Sequence, residues 1–349
     1  MGKKKEASKT QAQGVVIKPE FHFFPSVFYI LLLFWFTVVI LNYLKFFPIQ
    51  LGRFFDFFSL SEEIKIKNLL FLFSHILHIL KALLIFVVAF GLGEILLDIF
   101  NIKDGDFYEE FILSTGIGLV ILIYFTLCIG IVGFLNEYPF VVIGGVGLIC
   151  SGKYLLLYYR ERRNKFRESR TKKEQINGLI KIFLLLVIIG LVYTLVGALT
   201  PEIFYDSLKY HLAVPKYWIQ HHKIFAIPNF EYSFYPVNIH LLYLIGLMFS
   251  NEITVKCIHF CFGLLLGLTI FHFCKRYFSS STGIIASFIF YTIPFVCFVM
   301  WKSAIELGLA FFETLAVLYF IKSLTFEKYR YRYAIFAGIF CGTAIGGEV

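Results

Sequence analysis

Long apolar runs separated by short polar breaks make up most of the chain. Runs long enough to cross a bilayer as helices fall at about 25–44, 69–97, 111–134, 138–158, 179–199, 254–274, 283–300, 304–323 and 333–349. A further run, VNIHLLYLIGLMFS at 237–250, is short for a span and reads as a re-entrant or interfacial helix. The pattern predicts an all-α fold, that of a polytopic helical membrane protein.

Composition agrees and removes some function classes. Of 349 residues, 59% are hydrophobic and 16% charged, against about 25% charged in soluble domains. A net charge of +9 could suggest nucleic acid, but the basic residues cluster between apolar runs. That placement reads as membrane topology and contact with anionic lipid, with no nucleic acid partner. Seven cysteines are scattered without a CxxC; Cys257 and Cys261 lie one helical turn apart, with no His or carboxylate to complete a metal set. They read as buried thiols. The apolar run after the polar start MGKKKEASKTQAQG is too long for a cleaved signal peptide.

Charge asymmetry sets the expected topology. The block RERRNKFRESRTKK at 160–173 and the lysine-rich tail are predicted to be cytoplasmic, with four spans between them. The span at 179–199 then carries Thr200–Ile224 to the outer side. If 237–250 does not cross, the basic segments at 274–276 and 322–332 both return to the cytoplasm; if it crosses, both fall outside. The non-crossing reading is preferred. The outer loop at 45–68 fits less well, because it carries Lys45, Arg53, Lys65 and Lys67. The expected organisation is a basic tail (1–24), a four-helix membrane module (25–158), a basic cytoplasmic linker (159–178) and a core (179–349) read as incomplete at its C-terminus.

The stretch TPEIFYDSLKYHLAVPKYWIQHHKI, Thr200–Ile224, gathers eight ionisable groups between two apolar segments. Asp206 opens an expected helix, either as an N-cap or as a functional carboxylate. Lys209, Lys216 and Lys223 recur every seven residues and should fall near one helical face, where interfacial lysines commonly snorkel. A second carboxylate, Glu306, stands at the start of the 304–323 run, one turn after Lys302. A carboxylate at membrane depth is costly, so Glu306 either faces a polar cavity or pairs with Lys302. His75, His78 and Lys81 share part of one face of the second span, as a polar seam between helices or as a proton or substrate path.

The run PEIFYDSLKYHLAVPKYWIQHHKI, followed by SFYP and a short apolar helix, resembles the first outer loop of GT-C glycosyltransferases. The likeness is to bacterial relatives of the protein O-mannosyltransferases and of the lipid A aminoarabinose transferase, and it covers about 179–349. The family's catalytic aspartate falls on Asp206, and its continuation matches Leu208, Tyr210 and His211. The family's second acidic residue, usually Asp, falls on Glu306, after Pro294. The resemblance implies a GT-C core in a bacterial inner membrane with an outer-face active site. It also implies inverting transfer of a hexosyl or pentosyl group from a polyprenyl-phosphate-linked sugar to a glycan, lipid or protein hydroxyl. Asp206 would act as base. Lys209, His211, Lys216 or Lys223 would stabilise the leaving phosphate, with Tyr210 and Lys302 as further substrate contacts. No cofactor is expected. A transporter or lipid flippase and a noncatalytic scaffold are the competing classes.

Overall fold

A computed structural model describes residues 25–46, 62–102, 106–168 and 178–347. Among these residues there are helices and no strands. The helices are α1 (Pro25–Phe46), α2 (Glu62–Phe100), α3 (Phe107–Val132), α4 (Glu137–Glu168), α5 (Gly178–Ala198), α6 (Ala213–Gln220), α7 (Asn238–Phe249), α8 (Glu252–Tyr277), α9 (Ser280–Thr292), α10 (Pro294–Met300), α11 (Glu306–Thr325) and α12 (Arg330–Ile345). Seven of them, α1–α5, α8 and α11, are long and apolar enough to cross a bilayer. The chain is an all-α, multi-pass membrane protein. The expected basic tail at 1–24, most of the 45–68 loop and the linker residues 169–177 lie outside the described residues.

The expected single span at 283–300 is corrected to two helices, α9 and α10, bent by 72°. Pro294 is the cause. It has no N–H for the helical ladder and disfavours the helical region for the preceding residue, and Ile293 is extended at ψ 118°. Pro294 then takes the first position of α10, where a missing N–H costs nothing.

Hydrogen bonds and ion pairs sort the helix ends into two groups. At one end Ile224 N donates to Gly130 O at 2.9 Å, Leu135 N to His222 O at 3.1 Å and Asn238 N to Gly346 O at 2.9 Å. At the other, Arg276 and Lys322 both pair with Glu109, and Arg332 donates to Asn101 O at 3.1 Å. We call these the loop end and the basic end; helical residues 160–168, the start of the basic block, extend α4 at the latter.

α7 starts at the loop end, and the chain is back there when α8 begins, since the Lys256 ammonium donates to Thr200 O at 2.8 Å. α7 therefore does not cross. It is also not interfacial: Ile239, Leu241, Leu242, Tyr243 and Leu244 are fully buried, so it is a re-entrant helix sheathed by protein.

α2, α3 and α4 form one close-packed group. A side chain at Gly93 would strike the backbone of Ser114, and one at Gly118 the backbone of Ala89, so the two helices meet at their glycines. α1 does not join this group. It lies against α5 and α9 through Tyr29–Phe183 and Phe36–Phe288 ring contacts. The polar face of α2 is a seam: His78 Nδ1 bonds Ser250 Oγ at 3.1 Å and Thr254 Oγ1 at 3.0 Å, and Lys81 donates to Phe249 O at 3.2 Å. These bonds stitch α2 to the α7–α8 turn.

Lys223→Cys and Glu327→Cys, each in a background lacking the seven native cysteines, should react with a membrane-impermeant maleimide from opposite sides. Labelling from one side would overturn the non-crossing path of α7.

Candidate functional site

Three prolines shape the loop end. Pro201 follows α5, and the chain passes through an irregular stretch before Tyr205. Ser207–His211 form a π-helical turn, with Leu212 N donating to Ser207 O at 2.9 Å. Pro215 explains this widening: it cannot donate to the carbonyl of His211, and its ring would clash there in a regular helix. The third, Pro294, turns the chain towards residues 301–305. In an i→i+5 turn the residues four and five after a given position flank it, so Asp206, Tyr210 and His211 share one face. π-turns of this kind are frequent at functional sites.

Glu202 ties this segment to the rest. Its carboxylate is buried and accepts from Ile203 N at 3.0 Å, Phe204 N at 3.2 Å and Ser303 N at 2.7 Å. Ser207 Oγ donates to Ser303 O at 2.9 Å, and the Tyr243 hydroxyl donates to Ala304 O. His259 closes the other side of the same turn. Its Nδ1 lies 2.8 Å from Val299 O, and Leu307 N donates to its Nε2 at 3.2 Å. An Nε2 that accepts leaves the proton on Nδ1, so the ring is a neutral bridge across the turn.

The turn presents Glu306. Its Oε2 accepts from Ile305 N at 3.0 Å, and its Oε1 lies 3.6 Å from Lys302 Nζ, with the side chain 39% exposed. Of the two readings of Glu306, the pairing with Lys302 is the one formed, and the carboxylate stays partly exposed. Asp206 is exposed, and its side chain makes no cap hydrogen bond, so the N-cap reading is corrected. Burial raises the pKa of Tyr210, and the negative charges of Asp206 and then Glu306 raise it further. Carboxylates 100 residues apart in sequence thus act on one phenol.

Around that phenol stands an aromatic wall. Tyr210 stacks on Tyr232 at 4.6 Å, and Lys209 donates to the Tyr232 hydroxyl at 2.7 Å while lying over the Tyr205 and Tyr232 rings. The bond to Tyr232 holds the Lys209 pKa above the usual lysine value. Behind the wall, His211 Nδ1 and His240 Nε2 are 2.7 Å apart, with one proton between them. Burial lowers the pKa of both rings from the ordinary 6.5, and for His211 the neighbouring His240 lowers it further.

The expected lysine face is not formed. The chain leaves helical geometry after Gln220, so the sevenfold spacing has no continuous helix to act on. Lys209 joins the site. Lys216 is exposed on α6, outside the contacts made by the carboxylates, and exposed Lys223 lies beside Gly133 at the α3 terminus. The structure gathers Asp206, Glu306, Lys209, Tyr210, His211 and Lys302 at one place and leaves Lys216 and Lys223 outside that cluster.

Sequence reasoning gave no role to Glu202, Tyr232, His240, Lys256 or His259. For His240, Lys256 and His259 the signal was available: an ionisable residue inside an apolar helix has a partner and a purpose by default. Lys256, only 1% exposed, holds Thr200 and Pro201 through their carbonyls. Chemically the cluster offers an exposed carboxylate, a second that is backbone-anchored, and two ammonium groups on aromatic surface. Searches against protein-family models, curated proteins and solved structures find no match to this chain.

The histidine pair gives a pH prediction. A ring whose pKa is lower folded than unfolded adds stability above pH 6.5 that is lost as pH falls towards its folded value, because the unfolded chain binds the proton first. The melting temperature of the purified protein should therefore drop between pH 7 and pH 5. The drop should shrink in His240→Gln, measured in the same buffers; an unchanged drop would show that other groups control it.

Proposed function

We propose that the protein is a GT-C-type membrane glycosyltransferase that moves a sugar from a polyprenyl-phosphate donor to an acceptor hydroxyl. In this reading the loop end is the outer face and the basic end the cytoplasmic face, which agrees with the positive charge at 160–173. The observation that carries the proposal is that Ser207 Oγ and the Glu202 carboxylate both bond Ser303, which holds the segment of Asp206 against the turn that presents Glu306.

Each group has work in such a reaction. Asp206, exposed and uncapped, takes the proton from the acceptor hydroxyl as its oxygen attacks the anomeric carbon. Attack opposite the leaving phosphate inverts configuration. Lys209 faces the phosphate oxygens that gain charge as the glycosidic bond breaks, and the polyprenyl phosphate departs into the bilayer. Glu306, fixed by Ile305 N and Lys302, orients the acceptor. A donor embedded in the membrane suits a site between an aromatic wall and the bilayer edge.

A transporter or lipid flippase is favoured by one observation, a second polar cluster at the basic end around Glu109. Between the two clusters the bundle is filled by Phe311, Phe312, Phe262 and Phe340, all fully buried. A polar substrate would have to cross that layer, so the enzyme reading is preferred.

Turnover of polyprenyl-phospho-sugars by the purified protein tests the proposal. Asp206→Asn should lower kcat by about 10²-fold or more with little change in thermal stability, because no cap bond is lost. Glu306→Asp should keep partial activity and Glu306→Gln lose most of it. An active Asp206→Asn enzyme would end this mechanism. Lys209→Ala should raise the donor KM or lower kcat by roughly tenfold to a hundredfold, the loss of a charge-assisted bond. Unchanged kinetics would leave Lys209 as an anchor on its tyrosines.

A further inference from the structure

At the basic end a pocket lies between α3, α8 and α11. Its floor is Glu109, 8% exposed, paired with Arg276 of α8 and Lys322 of α11. The Lys322 ammonium also lies over the rings of Tyr319 and Tyr333, each at 5.3 Å. This much is a clamp joining α3 to the later helices.

His272 is not explained by the clamp. It lines the same pocket, is 7% exposed, and neither ring nitrogen has a hydrogen-bond partner. The nearest carboxylates, Asp106 at 3.6 Å and Glu109 at 3.9 Å, are beyond hydrogen-bond reach. A buried imidazole left unbonded is costly, and buried polar groups in folded proteins nearly always have partners. The pocket lining carries two cations, Arg276 and Lys322, and one carboxylate, Glu109, while Glu110 stands on the other side of Lys322. The pocket thus sets two cations beside an imidazole that makes no hydrogen bond.

The pocket continues into an apolar crevice between α8 and α11, and Thr269, Phe273, Leu318 and Ile321 line both. The crevice opens sideways to the lipid, where Val317 is 58% exposed, and its apolar lining stops at Glu313, eight residues from Ile321. That is about 12 Å along the helix. A cationic head site joined to a lipid-facing apolar slot matches an amphiphile with an anionic head. We propose that this end binds an anionic phospholipid, its phosphate against His272, Arg276 and Lys322 and one acyl chain in the crevice. Basic pockets between transmembrane helices take such headgroups elsewhere. The site stands apart from Asp206 and does not depend on the glycosyltransferase reading.

The test is thermal unfolding of the full-length protein in detergent micelles doped with dioleoylphosphatidylglycerol, dioleoylphosphatidylcholine or sodium phosphate. The anionic lipid should raise the melting temperature saturably by about 3 °C or more; the zwitterionic lipid and phosphate should not. His272→Phe removes the unbonded nitrogens, so its own melting temperature should hold or rise while the lipid shift disappears. Val317→Trp, which fills the crevice from its exposed side, should cut the shift at least twofold without lowering basal stability. A shift retained in both variants, equal shifts with the two lipids, or the full shift from phosphate alone would overturn the proposal.

Discussion

The arrangement of the loop end depends on the buried carboxylate of Glu202. It accepts from two backbone N–H groups of its own segment and from Ser303 N across the bundle. A charged acceptor makes each of these bonds stronger than a neutral one, and Glu202 is only 8% exposed. Through this group the segment after α5 and the turn before α11 become one rigid unit, so Asp206 and Glu306 keep a fixed relation. Lys256, Ser207, Tyr243 and His259 brace the same unit from α8, the π-turn and α7.

That unit exists because helices are interrupted where they reach the membrane edge. Pro294 bends α9 from α10 and turns the chain towards Ser303, while Pro215 widens the turn that carries Tyr210 and His211. An unbroken helix at either place would carry these side chains past each other. Irregular backbone at this depth is tolerated because protein surrounds it; α7 is buried along most of its length, and Trp301 rests against Gly197, where any side chain would collide with the indole.

The bundle keeps its polar chemistry at two ends with phenylalanines between them. Each cluster is therefore free to serve a different ligand. At the loop end the carboxylates face outward on an aromatic wall, an arrangement suited to reaction. At the basic end Glu109 is consumed by two cations, an arrangement suited to holding helices together and to retaining an anion. A buried pair of this kind adds little net stability over an apolar contact, but breaking it leaves an uncompensated charge.

Much of this was legible in the sequence. Span length, hydropathy and the placement of basic blocks determined the all-α multi-pass fold, because a bilayer imposes one length and one backbone solution on every crossing. The short 237–250 run identified itself as non-crossing through the charges beyond it. Asp206, Glu306 and Lys209 stood out as charges at the edges of apolar runs. Only the tertiary structure decided how they combine. The sevenfold lysine spacing assumed a helix that breaks at 212 and 221, so local periodicity misplaced Lys216 and Lys223. Glu202 and His240 owe their roles to partners 101 and 29 residues away, and no local pattern encodes a contact made by packing. The same holds for Glu109, which reads as an ordinary first-turn acid until α8 and α11 bring Arg276 and Lys322 to it.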